Sequence, residues 1–445
     1  MTQPYPQSHP IDRERSLLNR VVSPLLLFLC PPFVLLVWYT LRHLEGSLLK
    51  LIDFVARLGW AGTWRRIFAP VWLGDRVAWT SIAVFAAFQL LFMIALPGRW
   101  VEGPPAPSGA VPRYKANGVP AFLATLCLYV LASSWGVGLF PASIVYDHFG
   151  AFLGALNLSA LLLCALLYVK GRWFPSSADA GSSGSLLFDY YWGMELYPRI
   201  GPWDIKMFTN CRFGMMAWPI IVLSCAGAQQ ARTGSLSVAM QVALVLQLAY
   251  IFKFFLWEDG YLRTMDIMHD RAGFYICWGC LVWLPCVYTA STFYLVEHAP
   301  QMPGAVGAAL VLTGLFAIAI NYLADRQKQR FRASQGHCKV WGKTPKTIVA
   351  HYRSGDGREH RNLLLASGWW GISRHFHYVP EWIAAFCWTV PVGFRVALPH
   401  FYTIFLFILL THRAARDDAR CQSKYGDAWK QYRRMVPYRI MPGVY

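Results

Sequence analysis

The sequence predicts an all-α, polytopic integral membrane protein of about ten helices. Three observations predict it. Only 14% of the 445 residues are charged and 56% are hydrophobic, whereas a soluble domain carries about 25% charged residues. Eight stretches of at least 19 residues lack Asp, Glu, Lys and Arg: 21–41, 77–98, 116–146, 149–169, 213–231, 233–252, 272–296 and 299–324. Of the 41 Lys and Arg, 18 fall in two stretches, 325–361 and 412–445. Basic excess of that kind marks cytoplasmic segments. No soluble nucleic-acid-binding pattern accompanies the charge, so nucleic acid is not an expected partner.

In chain order, residues 1–20 form a polar tail. Run 21–41 holds Pro31-Pro32 and lacks a following small-residue cleavage site, so it is expected to span rather than be a cleaved signal. Residues 98–118 contain Gly103-Pro104-Pro105 and 171–212 contain Gly181-Ser182-Ser183-Gly184, and both read as loops. Region 382–411 holds one charge, Arg395, and fits two short helices or a broken one. Pro and Gly inside several runs predict helices that pack on one another. The expected division is an N-terminal membrane part, 21–256, and a C-terminal part, 257–445, carrying the functional pockets. Most of the eleven cysteines lie in apolar runs. Cys277 and Cys280 have metal-site spacing but no second pair, so packing is expected and a metal is not.

Three polar groups stand out. In Trp257–Arg271, a helical path would put Asp266, His269 and Asp270 on one face, and a carboxylate beside an imidazole can deliver a proton. The alternative is an interfacial helix start. Asp189–Arg199 joins Glu195 and Arg199 to Tyr190, Tyr191, Trp192 and Tyr197. It fits either the wall of a pocket for a flat apolar ligand or an aromatic belt. Gly368–Glu381 and Thr411–Gly426 both mix basic and aromatic residues at a membrane edge, as a phosphate-bearing ligand requires. No Rossmann fingerprint, phosphate-binding loop or zinc-protease motif occurs, so a nucleotide would need a cleft among helices.

These segments resemble the integral-membrane sterol reductases, a family that includes the delta-14 and delta-7 enzymes and the lamin B receptor. The matching residues are Cys30-Pro31-Pro32-Phe33, Tyr114-Lys115-Ala116-Asn117-Gly118, Gly193 to Gly201, Asp270 to Cys280, and the two C-terminal groups. The resemblance runs from near residue 24 to the C-terminus. It is closest to the delta-7 branch, particularly its plant form, through His269-Asp270-Arg271 and His375-Phe376-His377-Tyr378. The family often has Pro and Asn where this chain has Phe376 and His377.

The resemblance implies NADPH as cofactor, in a pocket of C-terminal helices. It implies that Lys328, Arg332, Trp370, Arg374, His375, Tyr378, Arg413, Asp417, Lys424 and Tyr425 hold it. The implied reaction protonates a sterol double bond and traps the cation with hydride. Asp266, His269, Asp270 and Tyr288 are the candidates for the proton path. Trp192, Glu195, Arg199 and Trp278 are the candidates for contacting a sterol that enters from the bilayer. The compartment would be the endoplasmic reticulum in a eukaryote or the inner membrane in a bacterium, with the cofactor site facing the cytoplasm. Two other readings compete. Arg374-His375-x-x-Tyr378-x-x-Glu381 is similar to an element of membrane methyltransferases that use S-adenosylmethionine. A non-catalytic sterol-binding protein is the other.

Overall fold

The computed structural model describes residues 11–444 apart from 105, 107, 108, 110 and 354–358. Half of the expected N-terminal tail, 1–10, lies outside the described residues. Ile11–His43 is one helix. Seven helices among the described residues are long and apolar enough to span: Val21–His43, Arg76–Ala95, Phe149–Trp173, Ile205–Thr233, Val238–Leu256, Phe274–His298 and Gly304–Ala333. Each matches one charge-free run.

The eighth run, 116–146, is not a full span. It forms a 15-residue helix, Gly118–Ala132. The chain then turns through Gly136 and Gly138, the latter at φ +81°, a conformation natural to glycine alone. Region 382–411 is broken. Tyr378–Thr389 stops before Pro391, short turns cover Val390–Val392 and Leu398–His400, and Phe401–Tyr425 follows. Proline removes the amide a continuing helix would need.

In the basic stretch 325–361 the helix continues to Ala333, and Thr347–Arg353 pairs antiparallel with Glu359–Leu365. The expected loops 98–118 and 171–212 also carry short strands. Two smaller antiparallel pairs join Arg99–Glu102 to Arg113–Ala116 and Arg199–Ile200 to Trp203–Asp204. The fold is therefore helical with three short hairpins.

The chain divides into two compact units at Met302/Pro303, not near residue 257. The first also takes in Pro391–His400, and the second comprises Pro303–Val390 and Phe401–Tyr445. Residues 257–302 pack into the first unit. Gln229 Nε2 donates to the Leu295 carbonyl at 2.7 Å, and Trp278 Nε1 donates to Asn157 Oδ1 at 2.8 Å.

Within the first unit, Arg212 lies in a π-helical stretch, Phe208–Gly214. Its Nη2 is 2.5 Å from Glu258 Oε1, and both side chains are under 5% exposed. Nη2 also donates to Asn117 Oδ1 at 2.9 Å. Glu258 Oε2 accepts from the Gly118 amide at 2.7 Å, capping the first turn of Gly118–Ala132, where a negative charge is favourable. Asn117 Nδ2 closes the far side on the carbonyls of Phe92, Met93 and Leu96. One buried pair thus ties four segments together. Removing one partner of such a pair typically costs about 3–5 kcal/mol. Arg212→Met should sharply lower the unfolding temperature of the detergent-solubilised protein, and adding Glu258→Gln to it should recover part of the loss. An Arg212→Met protein as heat-stable as wild type would contradict this account.

Candidate functional site

In the first unit, backbones from two polar groups cross. Gly193, at φ +99°, packs against the Ala272 and Gly273 backbone, and a Cβ at either Gly193 or Gly273 would strike main-chain atoms. The Ala272 amide donates to the Glu195 carbonyl at 2.9 Å, and Arg271 Nη1 donates to the Met194 carbonyl. Rings follow the crossing. Trp192 stacks on Tyr275 at 5.8 Å and Phe274 on Trp278 at 4.8 Å, with Tyr191 6.0 Å from Tyr275. Trp192 and Trp278 therefore belong to one aromatic wall.

Glu195 is not turned to that wall. It is 2% exposed, accepts from Lys170 Nζ at 2.7 Å and from the Ser176 amide at 2.5 Å, and so holds the loop that follows Phe149–Trp173. Arg199 donates to the Arg113 carbonyl at 3.0 Å, joining two hairpins.

The proton-path candidates do not share a helical face. The helix there is a single turn, Met265–Met268, and His269 leaves it at φ −129°. His269 is exposed, Asp266 half-buried and Asp270 buried. Tyr288 ends the π-helical stretch Gly279–Tyr288, several turns further along, with its ring edge-on to Trp218 at 5.2 Å.

What gathers around Asp270 is a residue the sequence reading passed over. Lys206 is 1% exposed, and its ammonium donates to the Ile267 carbonyl at 2.7 Å and to the Asp270 carbonyl. It sits 5.5 Å from the Tyr197 ring. Asp204, Asp266 and Asp270 all act on it electrostatically. Asp204 caps the following helix through Oδ1, 2.9 Å from the Met207 amide, while its buried Oδ2 and the buried Tyr114 hydroxyl make no hydrogen bond. Burial, then Asp204 and Tyr197, raise the Tyr114 phenol, so it stays protonated. The signal for Lys206 was a lysine in aromatic company directly before an apolar run.

In the second unit, Arg413, Asp417, Arg420 and Lys424 lie on one face of Phe401–Tyr425, since i, i+4, i+7 and i+11 coincide. Lys328 Nζ lies 3.6 Å above the Trp370 ring and Lys424 Nζ 3.9 Å above the Tyr352 ring of the hairpin. Among the described residues neither lysine has an acidic partner within 4 Å. Rings hold these cations without neutralising them. Burial, then Arg420 and Arg332, lower the Lys424 ammonium from its ordinary value. Excess positive charge of this kind fits a phosphate-bearing anion, so the residues suit the expected cofactor. Arg332, one turn beyond Lys328, is exposed.

His375 stacks on Tyr378 at 5.2 Å and its Nε2 is 3.7 Å from Asp417 Oδ2. Burial pushes the imidazole down to about 4 despite Asp417, so it is neutral at pH 7. Burial raises the Asp417 carboxyl, but the cations Arg420 and Lys328 outweigh it and hold the group below its usual range. Tyr425 accepts from Asn362 Nδ2 at 2.7 Å, which fixes the hairpin beside Lys424.

Arg374 is occupied elsewhere. Its Nη1 donates to the Val436 and Pro437 carbonyls, each at 2.8 Å, and its Nε is 3.5 Å from Asp418 Oδ1. Asp418 is the residue the sequence reading missed. It accepts from Trp429 Nε1 at 3.1 Å and from Arg439 Nη2 at 3.4 Å. The tail then runs beside the 373–375 backbone, with the Tyr438 and Arg439 carbonyls taking the Arg374 and His375 amides at 3.0 and 2.8 Å. Arg374 and Asp418 thus fasten the chain end under His375. Asp418→Ala should speed amide hydrogen exchange at Arg374 and His375 at least tenfold, leaving the Thr347–Arg353 hairpin unchanged. Unaltered exchange there would refute the fastening role.

Residues 30–445 match the Ergosterol biosynthesis ERG4/ERG24 family. The chain is similar to 7-dehydrocholesterol reductase of Arabidopsis thaliana, 49% identical over 422 residues, covering 94% of this chain and 96% of the relative. It is similar to 7-dehydrocholesterol reductase of Xenopus laevis, 38% identical over 411 residues, covering 90% and 86%. It is also similar to Delta(14)-sterol reductase of Methylotuvimicrobium alcaliphilum, 34% identical over 423 residues, covering 94% of each. With the spans and the motifs in place over nearly the whole length, the chain belongs to the ERG4/ERG24 family of membrane sterol reductases.

Proposed function

We propose that the chain reduces the delta-7 double bond of 7-dehydrocholesterol or a related 5,7-diene sterol, using NADPH. The observation that carries the bond is the 49% identity to the plant 7-dehydrocholesterol reductase against 34% to the delta-14 enzyme. The cluster that supports the cofactor reading is Lys328 and Lys424, seated over the Trp370 and Tyr352 rings, together with Arg413 and Arg332. NADPH, when bound, supplies the hydride. Lys328, Arg332, Arg413 and Lys424 hold its phosphates, where each charge-assisted contact contributes about 1.5–3 kcal/mol. Trp370, Tyr378 and Tyr425 pack its rings, and neutral His375 with ionised Asp417 offers an acceptor pair for hydroxyls. Arg374 positions the His375 backbone. The basic stretches supply the positive excess expected of a cytoplasmic face, in the endoplasmic reticulum of a eukaryote or the inner membrane of a bacterium.

The chemistry needs an acid, because an alkene accepts hydride only once a proton has made it a cation. In our reading Asp270, with Asp266 and His269, feeds that proton beside the aromatic wall of Trp192 and Trp278, whose ring faces stabilise passing positive charge. Tyr288 is the reserve donor, while Glu195 and Arg199 hold the wall in shape.

Purified protein given a panel of diene sterols should convert the 5,7-diene to its 7,8-saturated product, read by mass spectrometry. NADPH should be preferred to NADH at least tenfold in kcat/KM. Product reduced only at the delta-14 bond would overturn the delta-7 reading, and equal use of both cofactors the NADPH reading.

Asp270→Asn and Asp266→Asn should lower kcat by about 10²–10⁴, the usual loss with a general acid, with sterol and NADPH binding retained. If both keep turnover within a few-fold of wild type, Tyr288→Phe becomes the deciding variant. If sterol binding falls in step with turnover, the cluster only shapes the pocket.

A further inference from the structure

The first unit holds a cavity that none of the residues assigned above to cofactor, proton path or aromatic wall line. Its volume is about 500 Å³, among Arg76–Ala95, Gly118–Ala132, Phe149–Trp173 and Ile205–Thr233. That size suits a ligand of a few hundred daltons. Phe85, Phe88, Phe92, Phe140, Phe149 and Phe152 supply much of the wall, and among the described residues no Asp, Glu, Lys, Arg or His lines it. Its rim, with Val84, Phe88, Leu128 and Leu139, is exposed. On membrane-crossing helices, such a rim faces lipid.

Thr80 and Ser81 put hydroxyls on this wall, and one buried polar atom of a described lining residue is unanswered. Gln89 is 1% exposed, and its Nε2 donates to Thr125 Oγ1 at 2.8 Å. Thr125 commits its only proton to the Ala121 carbonyl at 2.7 Å, so its oxygen can only accept. That fixes the amide orientation, which coordinates alone do not distinguish. Gln89 Oε1 is left buried without a hydrogen bond, and a buried orphan acceptor in a membrane interior is costly. The nearby Tyr129 hydroxyl is also committed, to the Ala142 carbonyl at 2.7 Å.

We propose that this cavity is an intramembrane sterol-binding site in which the single hydroxyl of the sterol donates to Gln89 Oε1 while the ring system packs against the phenylalanines. A phospholipid acyl chain fills such a space but brings no donor. A sterol brings one donor at one end of a rigid apolar body. The wall holds no acid able to protonate an alkene, so the site binds sterol without reacting with it. The ligand class rests on the proposed sterol-reducing function, but the site does not depend on the residues assigned to that reaction.

The test uses the full chain in phosphatidylcholine nanodiscs with a photoreactive 3β-hydroxysterol, mapping the labelled peptides by mass spectrometry. Labelling should fall on residues 80–92 and 125–132. Excess cholesterol should displace it at least tenfold more effectively than cholestane, which lacks the hydroxyl. Gln89→Leu should abolish that tenfold preference. The wild-type comparison stands even if the variant folds poorly. Labelling elsewhere, equal displacement by cholestane, displacement by diacylglycerol as effective as by cholesterol, or a preference that survives in a folded Gln89→Leu protein would each overturn the proposal. Turnover of a 5,7-diene sterol on the same preparation separates the two readings. Intact turnover with labelling that fails these criteria removes this site alone, and specific labelling without turnover removes the reductase reading alone.

Discussion

A charge buried among membrane-crossing helices has no water to retreat to, and the first unit is arranged around that constraint. Arg212 and Glu258 answer each other, and what each has left over is used to fasten something else. Arg212 takes the Asn117 side chain, whose amide in turn holds the end of Arg76–Ala95. Glu258 takes the Gly118 amide and starts the next helix. Lys206 solves the same problem with carbonyls from the 267–270 turn. Helix positions and the loop path therefore depend on satisfying a few ions as well as on burying apolar surface.

The same constraint explains what could be read along the chain. Runs without charge marked seven spans because a lipid-facing segment tolerates none. They under-measured Ile205–Thr233, which begins well before run 213–231, since Lys206 and Arg212 are inside it. Their partners come from residues 117, 258, 267 and 270, distant in sequence. Gly304–Ala333 extends past run 299–324 for a different reason: its last turns carry Lys328 and Arg332, whose charge suits a segment leaving the membrane.

The second unit shows where residue type was legible and orientation was not. Arg413, Asp417 and Lys424 could be singled out because helical spacing puts them on one face. Asp417 and Asp418 are neighbours of the same type, yet Asp417 meets His375 while Asp418 is swallowed by Arg374, Trp429 and Arg439. Only the returning tail decides which acid does which. The hairpin was hidden similarly. Thr347–Leu365 reads as basic, but Ile348, Ala350 and Leu364 turn inward against Trp429 and Tyr432.

Sterol chemistry makes opposite demands on one protein interior. Binding a nearly uncharged ligand calls for apolar area with a single directional contact, whereas protonating an alkene calls for an acid, and any free base nearby would quench the cation. In the proposed reading, the first unit separates these demands by residue type. Around Lys206, the ammonium takes the Ile267 and Asp270 carbonyls and Asp204 Oδ1 takes the Met207 amide, and the rings that follow Asp270 in the chain, Phe274, Tyr275 and Trp278, are soft partners for positive charge. Around Gln89 there is neither acid nor cation, and one amide oxygen supplies the directional contact. A carboxylate in the second setting would itself be driven to its neutral form by burial and would become a proton donor next to bound sterol. An amide recognises the hydroxyl without adding an acid, which is why glutamine suits a site that must hold a sterol unchanged.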